Sequence, residues 1–471
     1  MNKNSNYLIF ITIVATLGGL LFGYDTAVIS GTVDSLKQFF ITPKGLGADA
    51  ANSLLGFTVS SAIIGCIVGG LIGGVVSKRL GRKRGLMLAG VLFLVSALGS
   101  AMPELGFEKV GQGGHAYLTN FVVYRFIGGI GVGLASMLSP MFISELSPAK
   151  IRGRLVSLNQ LAIVIGIVVV YFVNYLIALQ GDASWLNTVG WRWMFASETI
   201  PALIFLVALQ FVPGSPRYLA LKGKDEESLK ILSKINGIER AKQEFAEIKS
   251  SVTGRSAKLF SYGSRVVIIG ILLTVFQQSV GINAVLYYAP EIFKSMGYGN
   301  NSSMMQAVFV GVVNLLFTFI AILYVDKWGR KKLQIIGAVG MALMMLALGT
   351  SFYLDKVGVA TLIFMLGFVA CFAMSWGPVT WILVSEIFPN MIRARAMALA
   401  TAATWISNYI ISWTFPILNN NVWLVEHFNH AFTYWLYGGI AILAVLFMIF
   451  FVPETKGKTL EEMEGFWKKN K

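Results

Sequence analysis

Charge is scarce in this 471-residue chain: Asp, Glu, Lys and Arg make up 13% of it, about half the share of an ordinary soluble domain. A water-soluble fold is excluded on that ground. Cysteine is scarcer still. Cys66 and Cys371 both fall in apolar runs, so no disulfide framework exists. His427 and His430 stand near Glu426 without further ligand-type neighbours, so no metal site is expected. There is no Walker loop and no nucleophile–base arrangement, which argues against ATP drive and enzyme catalysis and leaves no cofactor to expect. Gly128-Gly129-Ile130-Gly131-Val132-Gly133 faintly resembles a phosphate loop, but it lies in an apolar run with no strand before it. Close helix packing is the expected use of those glycines.

What is abundant is hydrophobic side chain, 56% of the residues, with a mean hydropathy of +0.69. Twelve spans follow: 8–30, 52–76, 86–102, 120–141, 156–179, 192–212, 266–290, 304–325, 333–352, 358–385, 396–417 and 431–452. At 1.5 Å per residue each has at least the roughly 17 residues that can span bilayer hydrocarbon, the longest of them with tilt. The expected fold is therefore an all-α membrane protein of twelve transmembrane helices in a lipid bilayer. The first apolar run has no small-residue cleavage site after it and reads as a retained span, not a signal peptide.

A net charge of +15 need not mean nucleic acid, because its distribution is one-sided. Loops on the N-terminal side hold 31 Lys and Arg; the opposite loops hold five, Lys37, Lys44, Lys109, Lys294 and Lys356. Arg125 and Arg192 lie within or at the ends of spans. That asymmetry places both termini in the cytoplasm and assigns Lys78–Arg84 to setting topology; no nucleic-acid partner is expected. The long connection 215–262 separates six spans from six. Its segments Asp225–Ile235 and Glu239–Ser250 carry apolar residues at helical spacing, so short cytoplasmic helices are expected. The expected division is 1–214, an N-terminal six-helix bundle; 215–262, a cytoplasmic linker; 263–452, a C-terminal bundle; and 453–471, a cytoplasmic tail.

The two halves repeat. Lys78-Arg79-Leu80-Gly81-Arg82-Lys83 precedes span three, and Asp326-Lys327-Trp328-Gly329-Arg330-Lys331 precedes span nine. Glu145 is followed seven positions on by Arg152, and Glu386 likewise by Arg393. Equivalent loops in equivalent places describe two pseudo-symmetric bundles with a site between them. Arg79, Arg82, Glu145, Arg152, Asp326, Arg330, Glu386 and Arg393 are expected to form a cytoplasmic latch bridging the bundles.

The stretch Phe276–Tyr288 holds Gln277, Gln278, Ser279, Gly281, Asn283, Tyr287 and Tyr288 between apolar flanks. An unpaired amide in hydrocarbon costs roughly 2 kcal/mol or more, so these groups must meet one another, water or a ligand. On a regular helix Gln278 and Asn283 point about 140° apart, so either the cavity is wide or the helix bends or unwinds near Gly281. Amides, which donate and accept, suit a neutral polyhydroxylated solute better than an ion. Asp25, Arg125 and Glu198 are ionisable groups inside spans of the N-terminal half. Each costs about 2.5–3.5 kcal/mol alone at mid-bilayer, so pairing or function is the default. A static Asp25–Arg125 pair and a titrating Asp25 that releases Arg125 when protonated are the two readings.

Several motifs carry a family resemblance. Gly-Arg-Lys loops occur in both halves, Pro213-Gly214-Ser215-Pro216-Arg217 follows span six, and Pro453-Glu454-Thr455-Lys456-Gly457-Lys458 follows span twelve. Together they resemble the signatures of the sugar porters of the major facilitator superfamily, over essentially the whole chain. Gly18–Asp25, Gln277-Gln278 and Ser375–Val379 resemble most the branch devoted to bacterial D-xylose–proton symport. The resemblance implies sugar hydroxyls held by Gln160, Gln277, Gln278, Asn283 and Trp381. Phe22, Tyr287 and Trp405 would wall the cavity, and Gly377 would allow close backbone approach. It also implies proton coupling through Asp25 with Arg125 and Glu198, since facilitators of the family tend to carry Asn at position 25. The chain departs from that pattern at Thr404 and Ile167, which stand where the symporters have glutamine. Further departures are Lys78 for Asp or Asn, Gly214 for Glu and Ala394 for Gly. The implied function is import of a neutral monosaccharide, D-xylose first and D-glucose as the alternative, with a proton, by a monomer in a bacterial inner membrane. An uncoupled facilitator stays open as the near alternative, and a non-transporting sugar sensor as one of another class.

Overall fold

Lipid offers no partner to backbone N–H and C=O groups, so long apolar runs fold as helices that satisfy their own backbone. The computed structural model describes residues 3–112, 114–148, 151–252, 258–389, 391–456 and 460–469. Side chains are described for all of these except 3–5, 152–153, 236, 250–252, 326, 394, 460–461 and 469. The described residues contain helices and no strands. In chain order the spans are α1 (Lys3–Val28), α2 (Ala48–Arg79), α3 (Gly81–Ala101), α4 (Leu118–Leu146), α5 (Arg152–Ala178) and α6 (Trp191–Ala196, then Thr199–Gln210). The second half supplies α7a (Ser264–Ser279), α7b (Ile282–Tyr287), α8 (Asn300–Trp328), α9 (Arg330–Tyr353), α10a (Val359–Met374), α10b (Trp376–Ile387), α11 (Arg393–Asn419) and α12 (Ala431–Phe450).

Eleven spans among the described residues are long and apolar enough to cross a bilayer. The twelfth expected span is α11, long enough at 27 residues but carrying Thr401, Thr404, Ser407, Asn408, Ser412 and Thr414. A helix with that many polar groups belongs between protein neighbours, and it packs against α2 and α7a.

Within the N-terminal half, α4 packs on α2 and α3, and α1 on α5. The glycines set the spacing. A Cβ on Gly129 would fall 1.8 Å from the Ala62 carbonyl oxygen, and one on Gly65 would fall 2.0 Å from that of Phe126. The glycine run of α4 is therefore a backbone-to-backbone helix contact, as its apolar setting implied. Two seams join the halves, α2 against α11 and α5 against α8. Between the halves run short helices Pro216–Leu221, Asp225–Asn236 and Ile238–Val252, the last two close to the expected segments. The tail forms helix Leu460–Lys469, whose Trp467 is buried and donates from Nε1 to the Ile387 carbonyl at 3.0 Å.

Candidate functional site

The seventh span breaks where its glycine stands. Gly281 has φ +91°, and a Cβ there would lie 2.4 Å from the Tyr437 ring, so neither backbone nor space tolerates a side chain. With the helix interrupted between Ser279 and Ile282, side chains five positions apart meet: Asn283 Nδ2 donates to Gln278 Oε1. Gln278 Nε2 in turn reaches Gln277 Oε1 at 3.4 Å, and Gln277 Nε2 donates to the carbonyls of Trp376 at 2.8 Å and Gly377 at 3.1 Å. Of the two geometries the sequence allowed, the broken helix is the one present.

Those carbonyls belong to a second break. The tenth span stops at Met374, turns through Ser375 (φ −132°, ψ −84°) and restarts at Trp376. Pro378 has no N–H to give the Met374 carbonyl, which removes the bond that would continue the helix. The amide chain thus joins two interrupted helices of one half.

Three of the wall residues lie on helices of both halves. Phe22 of α1 faces Trp405 of α11 with ring centroids 5.5 Å apart. Tyr287 accepts a bond from Asn408 Nδ2 at 3.3 Å, and Asn408 Oδ1 accepts one from Ser412 at 3.0 Å. Gln160 and Trp381 are half-buried and make no side-chain hydrogen bond among the described residues, so both keep an N–H to offer. Ile167 is buried and apolar, while the buried Thr404 hydroxyl donates back to Ala400 O at 2.9 Å. Asn408 was missed in the sequence. Its signal was the four-residue spacing Thr404, Asn408, Ser412, a polar stripe along α11.

In the N-terminal half Arg125 donates to Asp25 Oδ1 at 2.8 Å and to the Asp25 carbonyl at 2.9 Å. Asp25, Arg125 and Glu198 are 0%, 1% and 0% exposed, so no solvent shares the charge. Glu198 lies against both members of the pair, and as ionised groups neither of its oxygens nor Asp25 Oδ2 has a hydrogen-bond donor among the described residues. One guanidinium thus serves two carboxylates, and three carboxylate oxygens are left without a donor among the described residues. Gly128 makes room for this group: a Cβ there would press within 3.1 Å of Asp25 Oδ1.

The latch residues pair in a way the sequence did not foretell. Arg82 donates to Glu145 at 2.6 Å, and Ser215 also donates to that carboxylate. In the other half Arg330 donates to Glu386 at 2.9 Å, and Thr455 donates to the same group at 2.6 Å. Lys83 reaches the Val212 carbonyl at 2.8 Å, and Lys331 that of Ile449 at 3.0 Å. The constellations are equivalent, but each ties helix ends of its own half, whereas pairs across the halves were expected. The reason is local: the arginine opening the third helix of a bundle lies beside the glutamate closing its fourth. Arg79 offers its backbone, accepting from the Tyr218 hydroxyl at 2.8 Å, and Arg393 donates to the Phe388 carbonyl at 3.1 Å. The side chains of Arg152 and Asp326 lie outside the described residues.

Comparison with known proteins bears on the same arrangement. Residues 11–467 match the family model described as sugar (and other) transporter. The D-xylose-proton symporter of Escherichia coli (strain K12) is 58% identical to this chain, over 98% of it and 96% of the relative. The glucose facilitated diffusion protein of Zymomonas mobilis is 40% identical over 98% of both chains. The solved inward-open structure of the xylose transporter of Escherichia coli, 56% identical, matches with a TM-score of 0.89 over 98% of this chain and 100% of that one.

Proposed function

The chain belongs to the sugar (and other) transporter family, and from that premise we propose that it imports D-xylose together with a proton, by alternating access between its two six-helix halves. The observation that carries the reading is the sealed Asp25–Arg125–Glu198 cluster of one half, together with broken helices in the other half whose carboxamides lie beside one another. With two carboxylates to one guanidinium, a bound proton balances the cluster in a medium where net charge is costly. A proton on Asp25 weakens its hold on Arg125 and frees the N-terminal half to reorient; its loss restores the pair. The sugar takes over the bonds that Asn283, Gln278 and Gln277 make among themselves, and receives further N–H groups from Gln160 and Trp381. Phe22, Trp405 and Tyr287 lie against the apolar C–H face of the ring, with Gly377 leaving space beside it. No bond of the sugar is broken, so the protein is a carrier and not an enzyme. It works as a monomer in the bacterial inner membrane, with both termini in the cytoplasm, a placement the one-sided Lys and Arg support.

One proton crossing about 100 mV supplies roughly 2.3 kcal/mol, which supports an approximately 40-fold sugar gradient. In liposomes, labelled D-xylose accumulates only under a proton gradient, and addition of sugar alkalinises the outer medium. Asp25→Asn abolishes accumulation and keeps counterflow. Undiminished proton-driven accumulation by that variant overturns the coupling. D-glucose is the second substrate reading, favoured by buried Ile167 and by a Thr404 hydroxyl already committed to its own helix. Uptake of labelled glucose beside xylose decides between them.

A further inference from the structure

At the outer face a charged contact joins the two halves. Lys294 Nζ stands 2.8 Å from Asp34 Oδ2 and 3.3 Å from Glu291 Oε1. Asp34 lies in the one-turn helix Val33–Leu36 that follows α1, and Lys294 in helix Ala289–Ser295 that follows α7b. A cavity of about 250 Å³ adjoins the contact, lined by Asp34, Ser35 and Asn187 from one half and Glu291, Lys294 and Tyr298 from the other. The remaining described polar contacts across this face are of another kind. Trp413 Nε1 donates to Ser53 O at 3.2 Å, Asn52 Nδ2 to Asn420 O at 3.4 Å and the Tyr171 hydroxyl to Leu286 O at 2.5 Å, all neutral bonds to backbone.

Position gives the ion pair its leverage. Helix Ala289–Ser295 continues α7b through Tyr288, and α7b carries Asn283 and Tyr287 at the proposed sugar site. Whatever holds Lys294 to the N-terminal half therefore helps the Tyr171–Leu286 bond to hold α7b closed over that site. We infer that Asp34 and Lys294 are positioning residues of the transport cycle: an outer ionic clasp that biases the carrier toward its inward-facing state, with Glu291, already beside Lys294, as the partner that keeps it when the clasp opens. Glu291 lies on the same short helix as Lys294, one turn away, and moves with it. Opening thus gives up one of two carboxylates and leaves no lysine unpaired. The inference rests on alternating access and is independent of which sugar is carried.

The pair is partly exposed, so each loss is worth a factor of about three in the conformational equilibrium. The test is hydrogen–deuterium exchange of the full chain in lipid nanodiscs. Asp34→Asn and Lys294→Gln each raise exchange over Ile282–Ser295 about threefold and lower it at the cytoplasmic ends of the helices. The double variant goes no further than either single one. Glu291→Gln moves exchange the opposite way at both faces, because Lys294 then keeps Asp34 in the closed clasp and has no carboxylate in the open one. A merely structural pair would loosen the outer face alone. That result, additive single effects, or an unchanged profile overturns the clasp. The unsubstituted carrier is measured with and without D-xylose; if sugar produces no reciprocal change of the two faces, alternating access itself fails, and the clasp with it.

Discussion

Arg192 and Glu104 show at a single pair what burial does to charge. Arg192 donates to both carboxylate oxygens, at 2.9 and 2.7 Å, while its guanidinium lies over the rings of Trp191 and Phe39. Burial pushes the Glu104 carboxyl up, but the Arg192 bonds and the Gly111 N–H outweigh it and hold the group below the usual carboxylate range. A carboxyl acidified by folding stabilises the fold in full above the ordinary carboxylate range, and that contribution drains away as pH falls through the lowered folded value. Glu104→Gln should therefore flatten the acid limb of a stability–pH profile measured by thermal unfolding. It should also cost about 3 kcal/mol near neutrality, because a buried guanidinium loses its counter-charge. A profile whose acid limb is unchanged would separate this pair from acid sensitivity.

The broken helices are the elements on which site geometry depends, and Gly281 tests the first of them. Gly281→Ala must place a methyl against Tyr437 and hold alanine at a left-handed φ. The cost is about 2 kcal/mol or more of stability, and the Asn283–Gln278 contact shifts with it. Sugar affinity, read by equilibrium binding, should fall more than that of Gly299→Ala, where φ is −64° and no atom lies within 4 Å of the new methyl. This break is legible in sequence because a glycine among amides in hydrocarbon has few other uses. The break before Trp376 is announced by Pro378. Pairings between distant segments are not legible: Asp34 and Lys294 stand 260 positions apart, and each alone reads as a loop charge. The polar stripe of α11 was present in the sequence, yet Thr404 was read singly, so Asn408 and its bond to Tyr287 went unseen. The partners of the latch residues were not legible for a related reason. Spacing says that an arginine and a glutamate recur together, but only the packed bundle says which helix ends they join.

At the scale of the whole molecule the two halves share a plan without sharing its energetics. Arg82 and Glu145 have side chains 10% and 8% exposed; Arg330 and Glu386 are at 14% and 25%. Removing the arginine in the N-terminal half strands a carboxylate out of water with the Ser215 hydroxyl as its remaining described donor, a loss of about 3 kcal/mol. Removing its counterpart strands one that water partly reaches and that Thr455 also serves, a loss of about 1 kcal/mol. Arg82→Ala should therefore lower the thermal unfolding midpoint in detergent distinctly more than Arg330→Ala. Since each pair ties one bundle to itself, neither variant should move the exchange of outer residues Ile282–Ser295 as the clasp variants do. Equal midpoints would mean that screening, not burial, sets the worth of these pairs. A shift at the outer face would mean that the cytoplasmic arginines act across the halves in a second conformation. The repeated motif would then serve two states: holding each bundle together when the inner mouth is open, and reaching its partner when that mouth closes.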